Sequence, residues 1–284
     1  MNYQTLISVA ELQQLRASGP APLIVDTRFD LAEPAAGERD YATGHLPQAH
    51  YLHLDRDLSG SKTGSNGRHP LPGRSAFAQR MAALGLNAGQ QVVIYDAQGG
   101  MVAARLWWML RWIGHAEVAV LDGGLQAWLA AGGAIENAAT AAGAAPQSGN
   151  FALGEALTRQ IDADSLQSQL GRVRLIDARA GERFRGETEP LDKQAGHIPG
   201  ARNRFFKDNL QADGRFKPTE QLQSEFAALL APHGSDSVVQ QCGSGVTACH
   251  NLLAMMHAGL GNSTLYPGSW SEWSADPGRP VARG

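Results

Sequence analysis

One residue in this sequence combines a nucleophilic side chain with a setting that favours reaction. It is Cys242, in the stretch Val238-Val239-Gln240-Gln241-Cys242-Gly243-Ser244-Gly245-Val246-Thr247-Ala248. Val238 and Val239 start a buried strand, Gly243 and Gly245 permit a tight loop, and Val246, Leu252, Leu253, Met256 and Leu260 supply the apolar side of a helix beginning at Val246. A thiol at the mouth of such a loop faces backbone N–H groups and the positive end of the helix. Both favour the thiolate, which is the attacking form. A cysteine buried as a small hydrophobe needs neither the two glycines nor a strand-to-helix junction, so the pattern points to a nucleophile. Cys249, seven residues on, reads as a helix-face residue, with the alternative of resolving an oxidised Cys242. Two cysteines so placed make neither a disulfide framework nor a four-ligand zinc site, and no metal or organic cofactor is implied.

Such a loop needs a sheet behind it and a helix in front, and the chain supplies that pattern twice. Leu23-Ile24-Val25, Val92-Val93-Ile94-Tyr95 and Val118-Ala119-Val120-Leu121 read as buried strands, with helices expected over 9–17, 77–84 and 101–113. Strand and helix in alternation predict an α/β fold, a parallel sheet flanked by helices on both faces. Trp107, Trp108 and Trp112 on the third helix are read as packing residues. The pattern then restarts. Leu175-Ile176-Asp177-Ala178-Arg179 echoes Leu23-Ile24-Val25-Asp26-Thr27-Arg28, Gly196-His197-Ile198-Pro199 echoes Gly44-His45-Leu46-Pro47, and the stretch ending in Trp273 echoes the one ending in Trp128. Three echoes at nearly one offset (151, 152 and 145 residues) mean a duplicated domain.

A length of 284 residues suits this duplication. The expected division is an N-terminal copy over 1–135, a linker rich in Ala, Gly, Asn and Ser over 136–150, and a C-terminal copy over 151–284. Aligning the copies puts Asp96 where the second has Cys242. A carboxylate cannot do thiolate chemistry, so the first copy keeps the scaffold alone.

The net charge of −3 and an ordinary apolar fraction suggest neither a nucleic-acid surface nor a disordered protein. No apolar run is long enough to span a bilayer, and the first residues lack a basic stretch followed by an apolar one. Cytoplasmic residence and no membrane partner are the expectation.

Taken together, Asp26-Thr27-Arg28, Gly44-His45-Leu46-Pro47, Asp122-Gly123-Gly124, Arg183-Phe184-Arg185-Gly186, Gly196-His197-Ile198-Pro199-Gly200-Ala201 and the cysteine loop resemble the tandem-domain rhodanese-type sulfurtransferases, in their 3-mercaptopyruvate sulfurtransferase branch. The resemblance covers nearly the whole chain. It implies two similar rhodanese-like α/β domains, the first inactive. It also implies a double displacement in which Cys242 takes sulfur from a small-molecule donor and holds it as a persulfide. The acceptor is then a thiol, such as thioredoxin or a low-molecular-weight thiol, or cyanide.

The loop residues Gly243, Ser244, Gly245, Val246 and Thr247 would line the donor site, with Ser244 close to the reacting sulfur. The neutral pair Gly243 and Ser244 after the cysteine, where thiosulfate-preferring relatives are typically cationic, favours a carboxylate-bearing monoanion over a dianion. Arg183 matches the arginine that binds the donor's carboxylate. The second arginine of that site has no counterpart in the shortened segment Glu187-Thr188-Glu189-Pro190-Leu191-Asp192-Lys193, which leaves Lys193 or Arg185 as substitutes. Asp57 and His69, from the first copy, match positions proposed to form a relay with the loop serine. His45, His197, Asp26, Asp177, Arg28 and Arg179 recur in both copies and are read as structural.

Two other classes compete. A phosphatase of similar loop design needs an arginine six residues after its cysteine, and Ala248 stands there. A persulfide carrier without small-molecule turnover is favoured only by the missing second arginine. The alternative donor, thiosulfate with cyanide as acceptor, stays open.

Overall fold

In the computed structural model, residues 2–137, 148–231 and 234–284 are described, so most of the expected linker, 138–147, lies outside the described residues. The chain packs as two compact units. The first comprises Met1–Leu58, Pro72–Leu157 and Ala212–Phe216, and the second Ser59–Leu71, Thr158–Gln211 and Lys217–Gly284. A segment from the first half of the sequence, Ser59–Leu71, therefore packs with the unit that holds Cys242.

In chain order, unit 1 contains β1 (Leu6–Ile7), α1 (Val9–Ser18), β2 (Leu23–Asp26), α2 (Ala36–Thr43), β3 (His50–Tyr51), α3 (Arg74–Ala83), β4 (Val92–Tyr95), α4 (Ala103–Trp112), β5 (Val118–Leu121) and α5 (Gly124–Ala130). Its strands lie in the order β1-β5-β4-β2-β3, every pair parallel. Unit 2 contains β6 (Arg159–Gln160), α6 (Ala163–Ser168), β7 (Arg174–Asp177), α7 (Gly181–Arg185), β8 (Arg202–Asn203), α8 (Thr219–Leu230), β9 (Val238–Gln241), α9 (Ala248–His257), β10 (Thr264–Leu265) and α10 (Ser269–Trp273). Its order, β6-β10-β9-β7-β8, again all parallel, repeats that of unit 1 strand for strand. The duplication read from three sequence echoes is thus a duplication of topology.

Why the sheets are buried follows from residue type. Ile24, Val93, Tyr95, Ala119 and Leu121 pack with Leu12 of α1 and Trp128 of α5 in one core layer. The residues between them, Val25, Val92, Ile94, Val118 and Val120, are equally withdrawn from solvent, as a parallel sheet covered on both faces requires. Unit 2 repeats the layer with Leu166, Leu175, Val239, Tyr266, Trp270 and Trp273. The tryptophans of α4 are packing residues as expected: Trp107 and Trp108 are buried, and Trp108 stacks on Trp112.

The repeated Asp-x-Arg motif locks strand to turn. Arg28 clasps Asp26 and donates to the carbonyl of Gly44 at 2.7 Å; Arg179 clasps Asp177 and donates to the carbonyl of Gly196 at 2.7 Å. His45 and His197 hold the same turns through the carbonyls of Tyr41 and Phe184.

Burial holds the imidazoles of His50, His115 and His257 below their usual pKa of 6.5. Unfolding returns them to the ordinary value and takes up protons. Their contribution to stability is therefore present above about pH 6.5 and is lost as pH falls through the lowered values. The thermal midpoint is expected to drop between pH 6.5 and 5, and His115→Gln to flatten that slope; a midpoint unchanged down to pH 5 would count against it.

Candidate active site

β9 ends at Gln241 and presents Cys242 at 2% exposure as the first residue of a loop that runs to Thr247. The helix that follows, α9, begins at Ala248, two residues later than its apolar pattern implies, and Leu260 lies beyond its end. The delay has a local cause. Gly245 adopts φ +75°, and a Cβ there would fall 2.3 Å from the carbonyl oxygen of Pro267, so the loop turns left-handed where only glycine fits. The back of the loop is tied to α10. The N–H of Cys242 donates to Ser269 Oγ (3.1 Å), and the carbonyls of Cys242 and Gly243 accept from the backbone N–H groups of Trp270 (3.0 Å) and Ser271 (2.9 Å).

Unit 1 shows how this architecture treats an anion. Asp96, in the position of Cys242, is buried, and its carboxylate accepts four backbone hydrogen bonds. They come from Gln98 (2.8 Å), Gly100 (2.9 Å), Val102 (2.9 Å) and Ala103 (3.0 Å). The strand–loop–helix junction of the first copy is an anion nest filled by its own side chain. In unit 2 the same strand–loop–helix junction carries Cys242 in place of the carboxylate.

Ser244 and His69, both buried, meet in unit 2: Ser244 Oγ and His69 Nδ1 lie 2.7 Å apart, in a hydrogen bond whose direction depends on the imidazole tautomer. Asp57 belongs to unit 1, where one carboxylate oxygen accepts from the N–H of His53 (2.7 Å) and the other from the guanidinium of Arg80. Gly243 and Val246 are buried within the loop, and Thr247 stands just before α9 without a side-chain capping hydrogen bond.

Arg183, on α7, donates through Nη2 to Glu189 Oε1 (2.7 Å) and Asp192 Oδ2 (3.1 Å). Its Nη1 lies 3.5 Å from where a Cβ on Gly243 would stand, so its guanidinium reaches the cysteine loop. Neither sequence-based substitute for the second arginine is so placed. Lys193 is exposed, and Arg185 is an exposed partner of Glu187 (2.6 and 2.9 Å). A different cation stands there: Arg68, whose Nη2 lies 3.0 Å from the same point on Gly243 and whose Nη1 donates to Asp192 Oδ1 at 2.6 Å. Cys249, buried on α9, directs its Sγ to the carbonyl of Gly245 (3.4 Å). Among the described residues, no group of three or more His, Cys, Asp or Glu side chains is placed to hold a metal ion, and no helix is long and apolar enough to cross a membrane.

Two α/β units of one parallel topology, the second carrying a buried cysteine at the junction of β9 and α9, define a duplicated α/β protein. The model of the Rhodanese-like domain matches residues 8–131 and 162–276. The chain belongs to the rhodanese family. It is 50% identical over 278 residues to a probable 3-mercaptopyruvate sulfurtransferase of Pseudomonas aeruginosa, with 96% of each chain covered. It is 41% identical over 291 residues to a putative thiosulfate sulfurtransferase of Mycobacterium tuberculosis, covering 99% of this chain and 98% of the other. Among solved structures it is similar to 3-mercaptopyruvate sulfurtransferase from Leishmania major, with TM-score 0.84, 31% identity, and 95% of this chain and 74% of that chain covered.

Proposed function

We propose that the chain is a sulfurtransferase that takes sulfur from 3-mercaptopyruvate onto Cys242, releases pyruvate, and passes the sulfur to a thiol or to cyanide. The observation that carries this reading is the buried Ser244–His69 pair on the loop of a nucleophile-type cysteine, with no cation in the loop itself. The Cys242 thiolate attacks the donor's sulfur, an S–S bond forms, and the C–S bond breaks with its electron pair passing to C3 as the enolate of pyruvate. The proton carried on the donor's sulfur goes to that carbon through the Ser244 hydroxyl and His69, leaving an anionic persulfide in a loop suited to negative charge. A thiolate acceptor then attacks the outer sulfur and restores the Cys242 thiolate; cyanide in that role gives thiocyanate. Asp57, the third relay position that the resemblance implies, accepts from the backbone N–H of His53 and from the guanidinium of Arg80. Thioredoxin or a small thiol in the cytoplasm is the acceptor class this cycle suits.

Thiosulfate is the second donor, favoured by the similarity to the mycobacterial relative. Pyruvate release from 3-mercaptopyruvate is measured beside thiocyanate release from thiosulfate and cyanide. Mercaptopyruvate is expected to be preferred by on the order of 100-fold in kcat/KM, the scale of one hydrogen bond to a charged group at about 3 kcal/mol. A preference for thiosulfate would reassign the donor. Reaction with neither would leave a persulfide carrier.

A further inference from the structure

The donor site of unit 2 contains a cation that lies 115 residues before Arg183 in the sequence. Arg68 is fixed to the cysteine loop by a relay through one residue: its backbone N–H donates to Ser271 Oγ (2.9 Å), and the N–H of Ser271 donates to the carbonyl of Gly243 (2.9 Å). Gly67, just before it, adopts φ +85°, and a Cβ there would lie 2.8 Å from the carbonyl oxygen of Gly268, so the segment presses directly on the turn that leads into α10. The Arg68 side chain then reaches Asp192, which bridges two guanidiniums: Oδ1 accepts from Arg68 and Oδ2 from Arg183. Both guanidiniums come within 4 Å of one point on Gly243. The Nε of each is buried without a hydrogen-bond partner among the described residues.

We infer that Arg68 is the second carboxylate-binding arginine of this enzyme, acting with Arg183 as a two-armed clamp whose spacing Asp192 sets. The inference rests on the proposed use of 3-mercaptopyruvate and identifies which group reads its carboxylate. Two forks converging on one point suit a planar carboxylate, which accepts bidentate hydrogen bonds from arginine. Gly243 belongs to the same device, because a side chain there would press on Arg68 Nη2. The charge balance selects the donor further. Arg68, Arg179 and Arg183 are linked through ion pairs to Asp177, Glu189 and Asp192, three formal charges of each sign. A neutral cluster accepts a monoanion such as an α-keto carboxylate with less residual charge than a dianion.

The test is steady-state pyruvate release from 3-mercaptopyruvate by the full chain, Arg68→Gln and Arg68→Lys, with thermal melting of each. Arg68→Gln is expected to raise KM by about 10- to 100-fold, the loss of a charge-assisted hydrogen-bonded contact, with kcat falling less than KM rises. Arg68→Lys keeps the charge on Asp192 without the fork and is expected to fall between the two. A KM for Arg68→Gln within twofold of the unaltered chain would overturn the assignment while leaving the donor as proposed. If Arg68→Gln does not fold, an unchanged KM in Arg68→Lys overturns it instead. An unaltered chain that releases no pyruvate would overturn the donor reading, and this assignment with it.

Discussion

Cys242→Ala is expected to reduce sulfur transfer from either donor by on the order of 10⁴-fold or more, the scale of removing a nucleophile, and to leave melting nearly unchanged. In the proposed cycle the sulfur is held in a covalent bond to Cys242. Cys249 is buried, with its Sγ directed to a backbone carbonyl, and stands on α9 rather than at the loop mouth. The substitution removes one sulfur and keeps the Cβ, while the contacts that hold the loop run through backbone atoms at Cys242 and Gly243 and through Ser269. Intact-mass measurement after incubation with donor gives an independent readout, with one added sulfur expected on the unaltered chain and none on the variant. Sulfur addition to the variant would move the nucleophile elsewhere.

Asp96→Ala is expected to cost about 3–5 kcal/mol, although unit 1 lacks the cysteine. Four N–H groups converge on this carboxylate at 2.8–3.0 Å, and the residue is fully buried. Removing the acceptor leaves buried donors unsatisfied at about 1–3 kcal/mol each, offset where water enters the space. For a unit of this size the loss corresponds to a fall in thermal midpoint of about 10–15 °C. Asp96→Asn keeps the shape and one acceptor oxygen, and is expected to lose roughly half as much because one pair of donors then faces an amide N–H₂. Differential scanning calorimetry on the three proteins checks the order; a midpoint in Asp96→Ala within 2 °C of the unaltered chain would show that the nest does not depend on its carboxylate.

The central strands were readable because each carries a short apolar run bounded by turn residues, although in β9 that run is only Val238-Val239, followed by the buried Gln240 and Gln241. The two-residue strands β1, β3, β6, β8 and β10 are too short to carry a period, and their pairing is fixed by neighbours in space. Cys242, Ser244 and Arg183 could be found because a loop motif and a local Arg-x-Arg-Gly segment mark them, and His69 because its stretch resembles a known one. Arg68 is not legible in the sequence because it lies 115 residues before Arg183, in a Gly/Ser-rich segment whose composition says only loop, and the fold alone brings the two together. The four bonds to Asp96 were equally hidden: aligning the copies shows a carboxylate in place of a thiol but not where the backbone donors point.

The packing of Ser59–Leu71 with unit 2 bears on how the duplicated chain has been maintained. After a duplication, a copy without its own reactive group is ordinarily free to decay or be deleted. Here deletion of the first repeat would also remove His69 and Arg68 from the second. The two repeats are therefore expected to be kept or lost together, because a short segment of the first packs with the unit that holds Cys242.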